Sequence, residues 1–252
     1  MLNEPFAVGN SAIHKTDPRF RLISAFIYSI VVAVLYQFPS LAIAALFSLI
    51  LISFAGLDHK TVFKRLALVN GFVLLFWLIL PFTSQGEIIY TAGPLNIYRP
   101  GVILAAQITL KSNTIIMAFI ALVSTMSFAT LGHTLNSLGL PRKLVFLFML
   151  TYRYIFVIEQ EYQKIARSVK IRGFTPKTTL HCYKTYAYMI GMILIRASAR
   201  AERVYKAMLC RGFNGQFHTL TEFSSSRKNW LFLAIVIFCT ALIIFMEIYY
   251  YG

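Results

Sequence analysis

Apolar residues in this chain run in long, nearly unbroken stretches, and polar residues gather between them. A helix needs about 20 mostly apolar residues to cross hydrocarbon. The first such stretch covers about Phe20 to Phe38; Pro39-Ser40 predicts a tight turn, and the second stretch runs from Leu41 to Leu57. Asp58-His59-Lys60, with Lys64 and Arg65, reads as a basic loop before a third span from about Leu66 to Phe82. Residues 83–100 read as a polar loop with Glu87 and Arg99. A fourth span falls within Val102 to Leu131, and a last one covers Trp230 to Tyr249. The pattern predicts an all-α integral membrane protein with about five transmembrane helices. It divides into an N-terminal membrane domain (1–132, about four spans), a helical region (133–228) and a C-terminal transmembrane helix (229–252).

The middle region breaks the pattern. Leu144 to Ile158 is apolar but short and contains Arg153. From Pro141 to Arg172 nothing interrupts a helix, and proline suits its first position. Thirty-odd residues make a rod of about 45 Å. Gly173 sits where a C-terminal cap belongs, and Thr175-Pro176 reinforces the stop. A second long helix is expected from about Leu180 to Arg211, with Gly191 as a weak point and Gly212 as its end.

Charge decides the topology. The chain is 58% hydrophobic and 13% charged, with net charge +15. Soluble domains carry about 25% charged residues, so a soluble-core reading drops out. Cytoplasmic loops collect Lys and Arg. His14, Lys15, Arg19 and Arg21 therefore place the N-terminus inside. Residues 159–228 hold 13 Lys and Arg against four acids, Glu159, Glu161, Glu202 and Glu222. Residues 133–228 are accordingly expected in the cytoplasm, with 144–158 an amphipathic helix at the inner interface. Contact with membrane lipids is implied. Nucleic acid is not, because the basic residues sit between apolar spans. Cys182, Cys210 and Cys239 have neither an even count nor a CxxC spacing, so no disulfide framework or zinc site is implied. No apolar run in the first 20 residues suggests a cleaved signal peptide.

One motif repeats. Arg172-Gly173-Phe174 and Arg211-Gly212-Phe213 end the two expected rods, 39 residues apart. Aligned on them, Lys164 pairs with Arg203 and Arg167 with Lys206. Arginine and glycine both favour helix C-termini. Two copies followed by the same aromatic point further, to guanidiniums projecting past two helix ends, where each can grip a carboxylate in two-pronged fashion.

Several blocks together resemble the transmembrane T component of energy-coupling-factor transporters, of the cobalt-type CbiQ family. They are His14-Lys15-Thr16-Asp17-Pro18-Arg19, Leu110-Lys111-Ser112-Asn113, Leu138-Gly139-Leu140-Pro141-Arg142-Lys143-Leu144, Leu150-Thr151-Tyr152-Arg153-Tyr154, and the two Arg-Gly-Phe sites, the second within reach of Ala201–Met208. The resemblance implies long cytoplasmic coupling helices whose Ala-Arg-Gly-type ends dock into two ATP-binding-cassette ATPase subunits (CbiO-like). Here those ends are Ile171-Arg172-Gly173-Phe174 and Cys210-Arg211-Gly212-Phe213, with Arg167, Arg203 and Lys206 as supporting basic residues; Ile171 and Cys210 replace the usual alanine. It also implies a substrate-binding membrane partner (CbiM-like), a small accessory membrane subunit (CbiN-like), cobalt as cargo, a link to cobalamin biosynthesis, and a place in the inner membrane. No catalysis and no cofactor of its own are expected, ATP and Mg being bound by the ATPases.

The remaining chemistry agrees with this. No GxxxxGK[ST] phosphate loop is present. His14, His59, His133, His181 and His218 are scattered, so no metal site is expected within the chain. Lys111, Asn113 and Arg153 read as interfacial or helix-packing polar groups. Nickel or vitamin import are the neighbouring readings. A membrane enzyme acting on a lipid or prenyl substrate would want paired acids or HExxH, and a self-contained transporter repeated spans with charges; neither pattern is visible.

Overall fold

The computed structural model describes residues 6, 9, 11, 13–92, 95–214 and 227–251. His218 and Glu222 fall outside them. The described residues form α1 (Pro18–Val34), α2 (Phe38–Ala55), α3 (His59–Thr83), β1 (Ile88–Ala92), β2 (Leu95–Tyr98), α4 (Arg99–Leu122), α5 (Phe128–Ser137), α6 (Arg142–Ile171), α7 (Leu180–Cys210) and α8 (Arg227–Tyr251). They fall into two compact units, one of Asn3–Leu131 with Glu222–Gly252, the other of Gly132–Thr221.

The first unit is the membrane part. Among the described residues, four helices are long and apolar enough to cross a bilayer: Phe38–Ala55, Lys60–Thr83, Arg99–Leu122 and Asn229–Tyr250. α1, the expected first span, has 17 residues, about 26 Å of helix. It runs antiparallel to α4 from end to end, with Arg21 beside Leu122 and Lys111 beside Ala33. α2 packs on α4 through small residues. Ser40, Ala44 and Ser48 are buried on one side, Thr114, Ala118 and Ala121 on the other. Small side chains let helix backbones approach where lipid gives no hydrophobic drive. Among the described residues α3 lies chiefly against α4, so closely that a Cβ at Gly101 would stand 2.3 Å from the Leu80 carbonyl oxygen.

Three helix ends in this unit are met by charged side chains from neighbouring helices. The Arg21 guanidinium, only 2% exposed, donates from Nε to the Leu122 carbonyl (3.2 Å) and from Nη2 to Thr125 Oγ1, closing the end of α4. Lys111 donates from Nζ to the Ala33 carbonyl (3.0 Å) in the last turn of α1 and lies 4.5 Å from the centre of the Tyr36 ring. α2 has no side-chain cap of its own. Glu247 of α8 accepts instead from the backbone N–H of Tyr36 (2.6 Å) and Gln37 (3.2 Å). In hydrocarbon an unmet backbone group costs several kcal/mol, so charges at these ends are positioned by the helix dipoles they complement.

These links also fix directions. Asp17 N–H meets Asn229 at the starts of α1 and α8, and Glu247 meets the residues after α1, so α1 and α8 run parallel. α4 therefore ends at the face where α8 begins.

Several expected boundaries move. Pro39 lies in the first turn of α2, where its missing N–H leaves nothing unmet, so the turn is Leu35–Gln37. Residues 59–65 are helical rather than loop, because Asp58 caps α3 by accepting from Lys60 N–H and Thr61 Oγ1. The 83–100 loop contains a β-hairpin, Ile88 pairing with Tyr98 and Thr91 with Asn96, closed at its base by the Glu87–Arg99 ion pair at 3.2 Å. The fourth span stops at Leu122, and Ser127 Oγ accepts from Thr130 N–H at the start of a separate α5. Pro141 caps α6 rather than entering it.

Candidate functional site

α6 and α7 are the two rods the sequence predicts, 30 and 31 residues long. Residues 144–158 form the first half of α6. Gly191 does not interrupt α7, since helix backbone continues through it and a side chain there would meet nothing within 4 Å. The rods run antiparallel. Glu161 of α6 pairs with Arg196 and, at 3.7 Å, with Arg200 of α7. Arg196 holds the Glu161 carboxyl below the usual carboxylate range. Farther along, the Phe146 ring of α6 stacks on Phe213, just past the end of α7, with centroids 5.4 Å apart. Between these two contacts lies a cavity of about 390 Å³ lined by Leu150, Tyr154, Ile158, Ile193, Ala197 and Val204 among others.

Both Arg-Gly-Phe copies end their helices in the same way. Gly173 N–H donates to the Lys170 carbonyl (3.1 Å) and Phe174 N–H to that of Val169 (3.3 Å). Gly212 N–H donates to the Leu209 carbonyl (2.9 Å) and Phe213 N–H to that of Met208 (3.0 Å). These are two Schellman motifs, which need a left-handed residue after the cap; Gly173 has φ +79° and Gly212 φ +75°. The aromatic that follows is half-buried in both copies, Phe174 meeting Tyr186 edge-on at 5.5 Å and Phe213 meeting Phe146.

Capping thus accounts for the glycine and the phenylalanine of each repeat. It does not account for the arginine. Arg172 and Arg211 are exposed, and among the described residues neither has a hydrogen-bond or ion-pair partner. Ile171, 86% exposed, and Cys210 stand beside them at the surface. Of the supporting bases, Lys206 pairs with Glu202 at 2.7 Å, Arg167 donates to Gln163 at 3.4 Å, and Arg203 is exposed without a partner among the described residues. The antiparallel arrangement sets the two arginines at opposite ends of the pair. Phe213 sits against Phe146, and 26 residues of α6 separate Phe146 from Arg172, about 39 Å of helix.

Sequence reasoning listed Glu161 only among the acids, and the i, i+4 spacing of Arg196 and Arg200 on α7 was the signal that an acid would lie between them. Arg153 stands exposed, 6.0 Å from the centre of the Tyr154 ring. Lys111 and Asn113 are helix-packing groups, Asn113 donating to Asn70 of α3 and to the Thr109 carbonyl, both at 2.9 Å. Among the described residues no cluster of His, Cys, Asp or Glu is placed to hold a metal.

The family described as "Cobalt transport protein", CbiQ, matches residues 9–223. The energy-coupling factor transporter transmembrane protein EcfT of Leuconostoc gelidum subsp. gasicomitatum is 27% identical over 225 residues, 82% of each chain. That of Bacillus subtilis is 26% identical over 226 residues, 85% of each chain, and that of Thermosediminibacter oceani 24% identical over 217, 82% of each.

Proposed function

Because the chain belongs to the CbiQ family, the transmembrane T components of energy-coupling-factor transporters, we propose that it is the scaffold and coupling subunit of an ATP-driven importer whose cargo is cobalt. The observation that carries the reading is the pair of arginines left over when two identical helix caps are complete. Each guanidinium is free to make two parallel bonds to a carboxylate on a partner. The ~39 Å of helix between them suits two separate partners, one per end. Those partners are two CbiO-like ATPases, which bind ATP and Mg. This chain contributes no catalysis and holds no cofactor.

In this reading the N-terminus and residues 133–228 face the cytoplasm, and the membrane is the cell's inner membrane. ATP-driven approach of the two ATPases moves Arg172 and Arg211 relative to each other. α6 and α7 convert that into a change of angle about Glu161, Arg196 and Arg200, the charged link between them. A CbiM-like subunit captures cargo, with a small CbiN-like subunit beside it.

The test is uptake. Membranes carrying this chain with its two ATPases and its substrate-binding subunit should accumulate radiolabelled cobalt on ATP addition. Accumulation of nickel or a vitamin in place of cobalt overturns the cargo, and a chain that is dispensable for uptake overturns the function.

A further inference from the structure

The space between α6 and α7 is a slot with unlike ends. At one end the Phe146 ring stacks on Phe213, and at the other Glu161 pairs with Arg196 and Arg200. Fifteen residues of α6 separate Phe146 from Glu161, about 22 Å of helix. The walls between are apolar: Leu150, Tyr154 and Ile158 on α6, Ile193, Ala197 and Val204 on α7. The volume of about 390 Å³ is that of a small-ligand site. Such sites hold about 300–1,000 Å³ and are mostly apolar, with a few polar groups that fix orientation.

Size and charge together select the occupant. A helix about 10 Å across would need roughly 1,700 Å³ over a length of about 22 Å, some four times what the slot holds. A single hydrocarbon chain is slim enough. The slot is also longer than the roughly 15 Å that a lipid tail spans in one leaflet. Among the described residues Glu161 is the one acid lining the slot, against Arg196 and Arg200. Arg196 holds Glu161 closely. Arg200 stands 3.7 Å from it and is 42% exposed, so its guanidinium is reachable from solvent. Lys164, one turn past Glu161, adds to the positive field at that carboxyl. The charged end of the slot is therefore net positive, and it presents the side chain best shaped to hold phosphate by two parallel bonds.

We propose that the slot between α6 and α7 binds an anionic phospholipid, with one acyl tail along Leu150, Ile158, Ala197 and Val204 and the phosphate on Arg200. Basic pockets between helices take anionic headgroups in this way. A tail in the slot fills the gap between the rods, so the bound lipid sets how closely α6 and α7 pack. The site stands whichever cargo the transporter carries.

The test uses the full chain in detergent, irradiated with phosphatidylglycerol that carries a diazirine in one acyl tail. Labels are expected on Leu150, Tyr154, Ile158 or Ala197. Ala197→Trp fills the slot, and Arg200→Gln removes the reachable cation while Arg196 keeps Glu161; each should lower labelling about tenfold. Arg200→Lys keeps the charge and should keep most of the labelling. Lys184→Gln removes the same charge from an exposed position of α7 that does not line the slot, and should change nothing. Labelling as strong with phosphatidylcholine overturns the proposal, as does labelling unchanged in Ala197→Trp or lost equally in Lys184→Gln. A diazirine fatty acid that labels the slot where phosphatidylglycerol does not overturns it too.

Discussion

Three helix ends of the membrane unit and the two C-terminal ends of the paired rods are closed by opposite means. In the membrane unit three ends borrow charges from other helices: Arg21 closes α4, Lys111 closes α1 and Glu247 opens α2. In the paired rods the two C-terminal ends are each closed by their own backbone and glycine. A borrowed charge is consumed by the fold. A locally closed helix makes no demand on its terminal arginine, and among the described residues Arg172 and Arg211 have no hydrogen-bond or ion-pair partner.

Removing the most buried borrowed charge should cost the most. Arg21→Met strands the Leu122 carbonyl, and hydrogen bonds to charged groups contribute about 1.5–3 kcal/mol each. The expected loss is about 3 kcal/mol in detergent unfolding; a loss near zero would mean that the end of α4 is met by other groups. The local caps should matter less. Gly173→Ala or Gly212→Ala forces a Cβ into the left-handed region at about 1–2 kcal/mol, read as faster hydrogen exchange of the last-turn amides of the altered rod. Fraying should stay within the last turn of the altered rod, and fraying of both rods together would break the comparison.

Smallest is Glu161→Gln, which keeps the shape and removes the charge facing Arg196 and Arg200. Because Arg196 lowers the folded carboxyl's proton affinity below its unfolded value, the contribution is present above the ordinary carboxylate range and fades as pH falls through the lowered value. The variant should match the parent at acid pH and protect the α6–α7 crossing slightly less at neutral pH. An equal deficit at both would show that packing, not charge, holds the crossing.

The difference between the units also separates what the sequence reveals from what it hides. Apolar runs placed α2 and α8 to within a turn and α3 and α4 to within about two and a half turns, because hydrocarbon selects on length and apolarity. The Arg-Gly-Phe ends were legible because a Schellman motif is local, spelled by consecutive residues. The borrowed caps were not legible. Glu247 lies 210 residues from Gln37, and no spacing announces that pairing. Lys111 stood out as a charge in a span, yet its target, the Ala33 carbonyl, belongs to tertiary packing. The hairpin at 88–98 had a signal in its β-branched and aromatic residues around Gly93-Pro94, which polar neighbours masked.

The central claim is that Arg172 and Arg211 serve a partner and not the fold. The direct measurement is Arg172→Ala with Arg211→Ala in one chain, with thermal unfolding and recovery of the two ATPases followed on the same preparation. Stability within about 0.5 kcal/mol of the parent, as for exposed side chains without partners, together with loss of both ATPases, is the predicted result. Full ATPase recovery from the doubly substituted chain, or a loss of stability large enough to explain the missing ATPases, would contradict it.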